Sequence, residues 1–89
     1  MVPHLIEAVL LCEQGVPKED IDRAARLGLN YLIGPLGLID LLGIDIFLHS
    51  CNNLLKRTGD QKFTPPKTII EMVENNKLGC KTKHGFYEY

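Results

Sequence analysis

The sequence predicts an all-α domain of about five short helices, on three observations. Apolar residues recur at helical spacing along most of the chain. Prolines that open helices and glycines that close them punctuate it at short intervals. No stretch alternates polar and apolar residues for long enough to read as a strand. Taken in order, Pro3 suits the first turn of a helix, where a missing N–H costs nothing. Leu5, Ala8, Val9 and Cys12 then share one face, and Gly15 ends the run as a left-handed cap. Pro17 opens the second helix, and Glu19 and Asp20 lie near its positive end. Ile21, Ala24, Ala25 and Leu27 form its narrow apolar stripe, closed by Gly28. Pro35 begins the third, Leu36 to Leu42, which is apolar on nearly every side and ends at Gly43. A short helix of that kind is the centre of a fold or an interface. Asp45 is expected to cap the fourth, which carries Leu48, Cys51, Leu54 and Leu55 and fades at Thr58-Gly59. Asp60 to Phe63 reads as loop. Thr64 is expected to cap a fifth helix that starts at Pro65-Pro66, shows Ile69, Ile70, Met72 and Val73, and stops around Asn75-Asn76. A turn at Gly79 begins the tail.

Composition narrows the function classes. A chain of 89 residues is one domain, and at that length folding hides only about 60–65% of the surface the unfolded form exposes. With 45% hydrophobic residues, such a domain is expected to keep apolar surface for a partner. The net charge is −1 and the basic residues are scattered. That leaves no electrostatic footprint for nucleic acid and no polybasic membrane anchor. The apolar run from Leu29 to Leu48 is broken by Gly34-Pro35, Asp40 and Asp45, so it reads as two short buried helices and not as a membrane span. Cys12, Cys51 and Cys80 are odd in number, far apart and without a C-x-x-C pair. They imply neither a disulfide framework nor a zinc site, and a reducing setting such as the cytoplasm is expected. Cys12 and Cys51 read as small core residues. Glu7 interrupts the first apolar run and no basic segment precedes it, unlike a signal peptide.

No complete active site is visible. The chain has no G-x-G-x-x-G, no P-loop and no H-E-x-x-H, and no metal ligands are assigned. His4, His49 and His84 are distant from one another and read as surface or packing residues. Asp40 and Asp45 are spaced for capping and turn hydrogen bonds, not for acid–base work. Two segments ask for more. Asn30 to Gly37 sets two glycines around a proline inside an apolar stretch, which fits a helix–helix corner or the wall of a pocket. The ending KTKHGFYEY, Lys81 to Tyr89, gathers three of the six aromatic residues beside basic groups. Burying Phe86 and one tyrosine, at about 1.5–3 kcal/mol each, would clasp a terminus to the helices. Such a clasp is compatible with a ligand role for a neighbouring lysine.

Read together, VPHLIEAVLLCEQGV, EDIDRAARLG, IGPLGLIDLLGID, the FTPP segment and ENNKLGCKTKHGFYEY cover essentially the whole chain. In that order they resemble the C-terminal domain of the NAD-dependent 3-hydroxyacyl-CoA dehydrogenases, including the 3-hydroxybutyryl-CoA dehydrogenases. IGPxxLxDxxGxD and LGxKTxxGFYxY are long patterns, sharpest at Ile33 to Asp45 and Leu78 to Tyr89. The resemblance implies the helical fold of the 6-phosphogluconate and 3-hydroxyacyl-CoA dehydrogenase C-terminal domains. It implies a Rossmann domain, in cis or in trans, that binds NAD and carries the catalytic His–Glu pair. It also implies an acyl-CoA substrate and a homodimer formed through the apolar helices. No catalytic residue carries over, because the family's junction asparagine has no counterpart here and none of the three histidines matches the catalytic one. Lys81 occupies the place of the lysine that reaches the dinucleotide, and a cation there suits a diphosphate. Leu32, Ile33, Gly34 and Pro35 are the implied wall facing the acyl group. Leu32 and Ile33 stand where relatives often have Pro-Met, and Lys83-His84 where many have Gly-x, so a turn glycine has been replaced.

Three functions follow. The first is the dimerisation and substrate-cleft domain of such a dehydrogenase, inactive alone. The second is a stand-alone helical oligomerisation module. The third is a small acyl-CoA carrier, against which the scattered lysines argue.

Overall fold

The structure, a computed structural model, describes residues 2–28 and 33–89. Among these residues the chain forms five α-helices: α1 (Val2–Glu13), α2 (Lys18–Gly28), α3 (Pro35–Leu42), α4 (Ile44–Thr58) and α5 (Lys67–Glu74). Two short 3-10 turns, Gln61–Phe63 and Cys80–Thr82, complete the set. The all-α expectation holds, because the prolines and glycines act where helix chemistry places them. Pro35 occupies the first turn of α3, and Gly59 ends α4 in the left-handed conformation with its N–H on the Leu55 carbonyl.

The core is built around α3. Leu36 and Ile39 are fully buried there, packed with Leu5, Ile6, Ala8 and Val9 of α1, Ile44, Phe47 and Cys51 of α4, and Ile69 of α5. Truncating any of the large side chains among them to alanine removes about 2–5 kcal/mol. The expected faces of α1 and α5 hold in outline, although Ile70 is 39% exposed. On α2 the apolar stripe is shorter than expected: Leu27 is 76% exposed, Ala24 is exposed, and the buried positions are Ile21, Asp22 and Ala25. A carboxyl side chain therefore holds a core position that lies outside the expected apolar stripe.

Two capping expectations and one loop expectation are corrected. Asp45 lies one residue inside α4, and the capping position belongs to Gly43 with no side-chain cap. Thr64 does not cap α5; its hydroxyl donates to the Gln61 side chain at 3.2 Å. The N-terminus of α5 is served from α1, where Glu13 Oε2 accepts the Thr68 N–H at 2.9 Å and the Thr68 hydroxyl at 2.6 Å. Asp60 to Phe63 is more ordered than a loop, since Asp60 accepts the Lys62 N–H and caps the first 3-10 turn. The helices α3 and α4 meet at 97°, and among the described residues no single helix is long and apolar enough to cross a membrane.

Candidate functional site

Two buried aspartates, one at each end of α3, organise the surface where site residues were expected. Asp22 of α2 is 7% exposed. Its two oxygens accept the N–H groups of Leu36 at 2.8 Å and Gly37 at 3.0 Å. Those are orphan donors of the first turn of α3, and Gly34 at the capping position has no side chain to satisfy them. Gly34 is required for a second reason. A Cβ there would collide with the Asp22 side chain, so only glycine lets α2 come close enough to cap α3.

Asp40, in the second turn of α3, is 1% exposed. It accepts the N–H of Phe86 at 2.8 Å, the N–H of Tyr87 at 3.0 Å and the hydroxyl of Tyr89 at 2.8 Å. A buried carboxylate costs far less when its lone pairs are filled in this way. The tail reaches it by a tight turn: Gly79 N–H donates to the His84 carbonyl at 2.9 Å. Gly79 has φ +103° and lies so close to the Asp40 carbonyl that a Cβ would clash with it. Phe86 is buried in the core, as the aromatic clasp requires. Tyr87 joins both aspartates, because its backbone N–H goes to Asp40 and its hydroxyl to Asp22 at 2.8 Å, with Lys18 Nζ 5.3 Å over its ring. Burial, then the hydrogen bonds to these carboxylates, pushes the ionisation of Tyr87 and Tyr89 well above the ordinary tyrosine range.

Lys81 sits where the tail crosses the α3–α4 turn. Its ammonium donates to Asp45 Oδ2 at 2.9 Å and lies 2.7 Å from Oδ1. The hydrogen bond from Lys81 holds the Asp45 carboxyl below its ordinary range. The two side chains are 45% and 39% exposed, so the pair is open to solvent and to ligand. Lys83 and His84 are exposed.

The implied acyl wall is divided. Ile33 and Gly34, with Gly37, Asp22, Arg26, Glu19 and Tyr87, line a cleft of about 340 Å³. Pro35 instead lines a larger, mostly apolar groove of about 470 Å³ between α1 and α2, with Ala8, Leu11, Val16, Ile21 and Ala25. Leu32 lies outside the described residues. The wall residues are at the N-terminal end of α3 and Lys81 is at its C-terminal end, eight residues or about 12 Å apart along the axis. Among the described residues no group of three or more His, Cys, Asp or Glu could hold a metal ion. All three cysteines are free, and burial pushes the Cys51 thiol up to about 11. Sequence reasoning missed Asp22 altogether. Its only local signal was an acidic residue beside Ile21 on a helix face that otherwise reads apolar.

The result is an all-α domain whose tail is pinned into its central helix by these two motifs, the architecture of a helical dehydrogenase C-terminal domain. The profile of the family described as "3-hydroxyacyl-CoA dehydrogenase, C-terminal domain" matches residues 1–89, and the chain belongs to that family. It is 46% identical over 90 residues to a 3-hydroxybutyryl-CoA dehydrogenase of Clostridioides difficile, covering 100% of this chain and 32% of that protein. It is 41% identical over 91 residues to the mitochondrial hydroxyacyl-coenzyme A dehydrogenase of Sus scrofa, covering 100% of this chain and 29% of that protein. The chain thus spans about a third of the length of the curated relatives it matches. Among solved structures, FadB2 of M. tuberculosis superposes with a TM-score of 0.97 at 36% identity, over 99% of this chain and 31% of that one. The (S)-3-hydroxybutyryl-CoA dehydrogenase of Ralstonia eutropha gives 0.93 at 38% identity, over the same shares of the two chains.

Proposed function

We propose that this chain is the helical half of an NAD-dependent 3-hydroxyacyl-CoA dehydrogenase. It works with a Rossmann domain supplied in cis or in trans, and the pair oxidises 3-hydroxyacyl-CoA to 3-oxoacyl-CoA in fatty-acid metabolism. The observation that carries this reading is that the two long motifs are halves of one clasp, with the Lys81 ammonium at its open edge. NAD, when bound, supplies the hydride acceptor. The residues present fit that group: Lys81 is half-exposed and keeps an N–H beyond those facing Asp45, which suits a diphosphate oxygen. Ile33 and Gly34 offer an apolar edge to the acyl chain, with Leu32 and Pro35 completing the wall in sequence. Cofactor-facing and acyl-facing duties then fall to opposite ends of one rigid helix.

The same reading assigns self-association to the α3–α4 corner. Leu41 is 62% exposed, Leu42 45% and Ile46 53%, a concentration of large apolar side chains that a second copy would cover. No residue of this chain is assigned a bond-making role, so the chain alone is inactive. The test mixes the purified chain with a Rossmann domain from the family and follows NADH absorbance with 3-hydroxybutyryl-CoA. NADH formation is expected only when both parts are present. Turnover by the isolated chain would refute the reading, and so would silence from a folded, associated pair.

A further inference from the structure

Asp45 and Lys81 come from the two different motifs, 36 residues apart, and meet over the α3–α4 turn. A Cβ built on Gly43 would stand 3.2 Å from Lys81 Nζ and 3.0 Å from Asp45 Oδ1, so the turn itself forms the floor beneath the pair. The backbone of Lys81 is fixed on both sides. Before it, the Leu78 N–H donates to the Thr82 hydroxyl at 2.9 Å; after it, Asp40 takes the N–H groups of Phe86 and Tyr87. Among the described residues, Asp45 alone holds the far end of the side chain. We propose that Asp45 is a positioning residue, which holds the Lys81 ammonium so that its remaining N–H faces the diphosphate of the dinucleotide. This inference rests on the reading above that Lys81 contacts that ligand.

The chemistry favours orientation over competition. An ammonium has three N–H donors on a stem of four flexible carbons. Both Asp45 oxygens lie on one side of it, at 2.7 and 2.9 Å, so at least one donor is left for another acceptor. A lysine held in place loses less freedom when an anion arrives, which is the general advantage of a preorganised site. If the carboxylate acted mainly as a rival anion, its removal would tighten binding. The two accounts therefore predict opposite signs.

The test uses the complete dehydrogenase, this chain together with its dinucleotide-binding domain, in four variants. It measures Kd for NADH by fluorescence titration without substrate, beside KM for NAD and kcat; Kd is expected to move with KM. Asp45→Asn is expected to raise KM for NAD about fivefold, the upper end for an exposed ion pair, with kcat changed far less. Asp45→Glu should recover part of the loss. In a Lys81→Met background, Asp45→Asn should have no further effect, because it acts through the lysine. An unchanged or lower KM in Asp45→Asn overturns the proposal. An equal effect with and without Lys81 also overturns it, since the carboxylate would then act through the fold. If Lys81→Met alone leaves KM unchanged, the contact between Lys81 and dinucleotide fails and this inference fails with it. If Lys81→Met raises KM while Asp45→Asn does not, only the role of Asp45 is lost.

Discussion

Lys83 closes the turn of the tail at φ +65°, in the left-handed region that costs a non-glycine residue about 1–2 kcal/mol. Its side chain is exposed, and its carbonyl accepts the Tyr89 N–H at 2.9 Å, so the conformation is held by the clasp around it. Lys83→Gly should therefore stabilise the domain. Part of the relief is offset by the greater freedom of glycine in the unfolded chain, leaving a gain of about 0.5–1 kcal/mol. Urea denaturation checks this: the midpoint should rise with the slope unchanged. The need for a glycine here was legible in the sequence, from the tail pattern that Lys83-His84 interrupts. The identity of the residue that gathers the tail was not. Asp40 reads locally as a turn former because nothing near it reveals that its partners lie 46 to 49 residues away.

Two helices in this domain begin without a cap of their own and receive one from elsewhere. The first turn of α3 is satisfied by Asp22 of α2, and that of α5 by Glu13 of α1. Such caps join helices as well as ending them, so losing one should cost more than losing a local cap. Asp22→Ala leaves the N–H groups of Leu36 and Gly37 and the Tyr87 hydroxyl without their acceptor, and is expected to destabilise the domain by about 3 kcal/mol. Asp20→Ala, on the exposed side of the same helix, should change stability by only about 0.5 kcal/mol. Thermal or chemical denaturation of the two variants side by side checks the contrast. This is also why helix positions were legible in the sequence and helix caps were not. Periodicity is a property of neighbours three and four apart, whereas Thr64 and Asp45 were local candidates for caps that the fold supplies from remote helices or omits.

The domain as a whole is locked through neutral tyrosines hydrogen-bonded to carboxylates, and that sets its response to base. Tyr87 and Tyr89 ionise later in the folded chain than in the unfolded one. Below the unfolded value, about 10, their contribution is fully present. As pH rises beyond it, the unfolded chain releases protons first, and stability falls until the higher folded values are reached. Denaturation midpoints should decline from about pH 10 upward, and in a spectrophotometric titration these two phenols should ionise late unless the protein unfolds first. Asp45 works in the opposite sense and more weakly, being half-exposed: its pair with Lys81 persists above its ordinary value of 3.8 and is lost as pH falls below that toward the lower folded one. At this scale the sequence was most informative. The number of helices, the short apolar α3 and the aromatic tail were all legible, because burial leaves its mark in composition and spacing; that α3 is the centre came from the packing. The division of the acyl wall between two grooves was not, since it depends on how α1, α2 and α3 pack. The remote pairing at Asp40 also bears on how the protein is made. A nascent chain displays this carboxylate well before the ribosome has delivered Phe86, Tyr87 and Tyr89. Until they emerge, α3 carries a carboxylate without its hydrogen-bond donors, so this helix consolidates only once Tyr89 has left the ribosome, and chains truncated before Phe86 are left as open substrates for proteolysis.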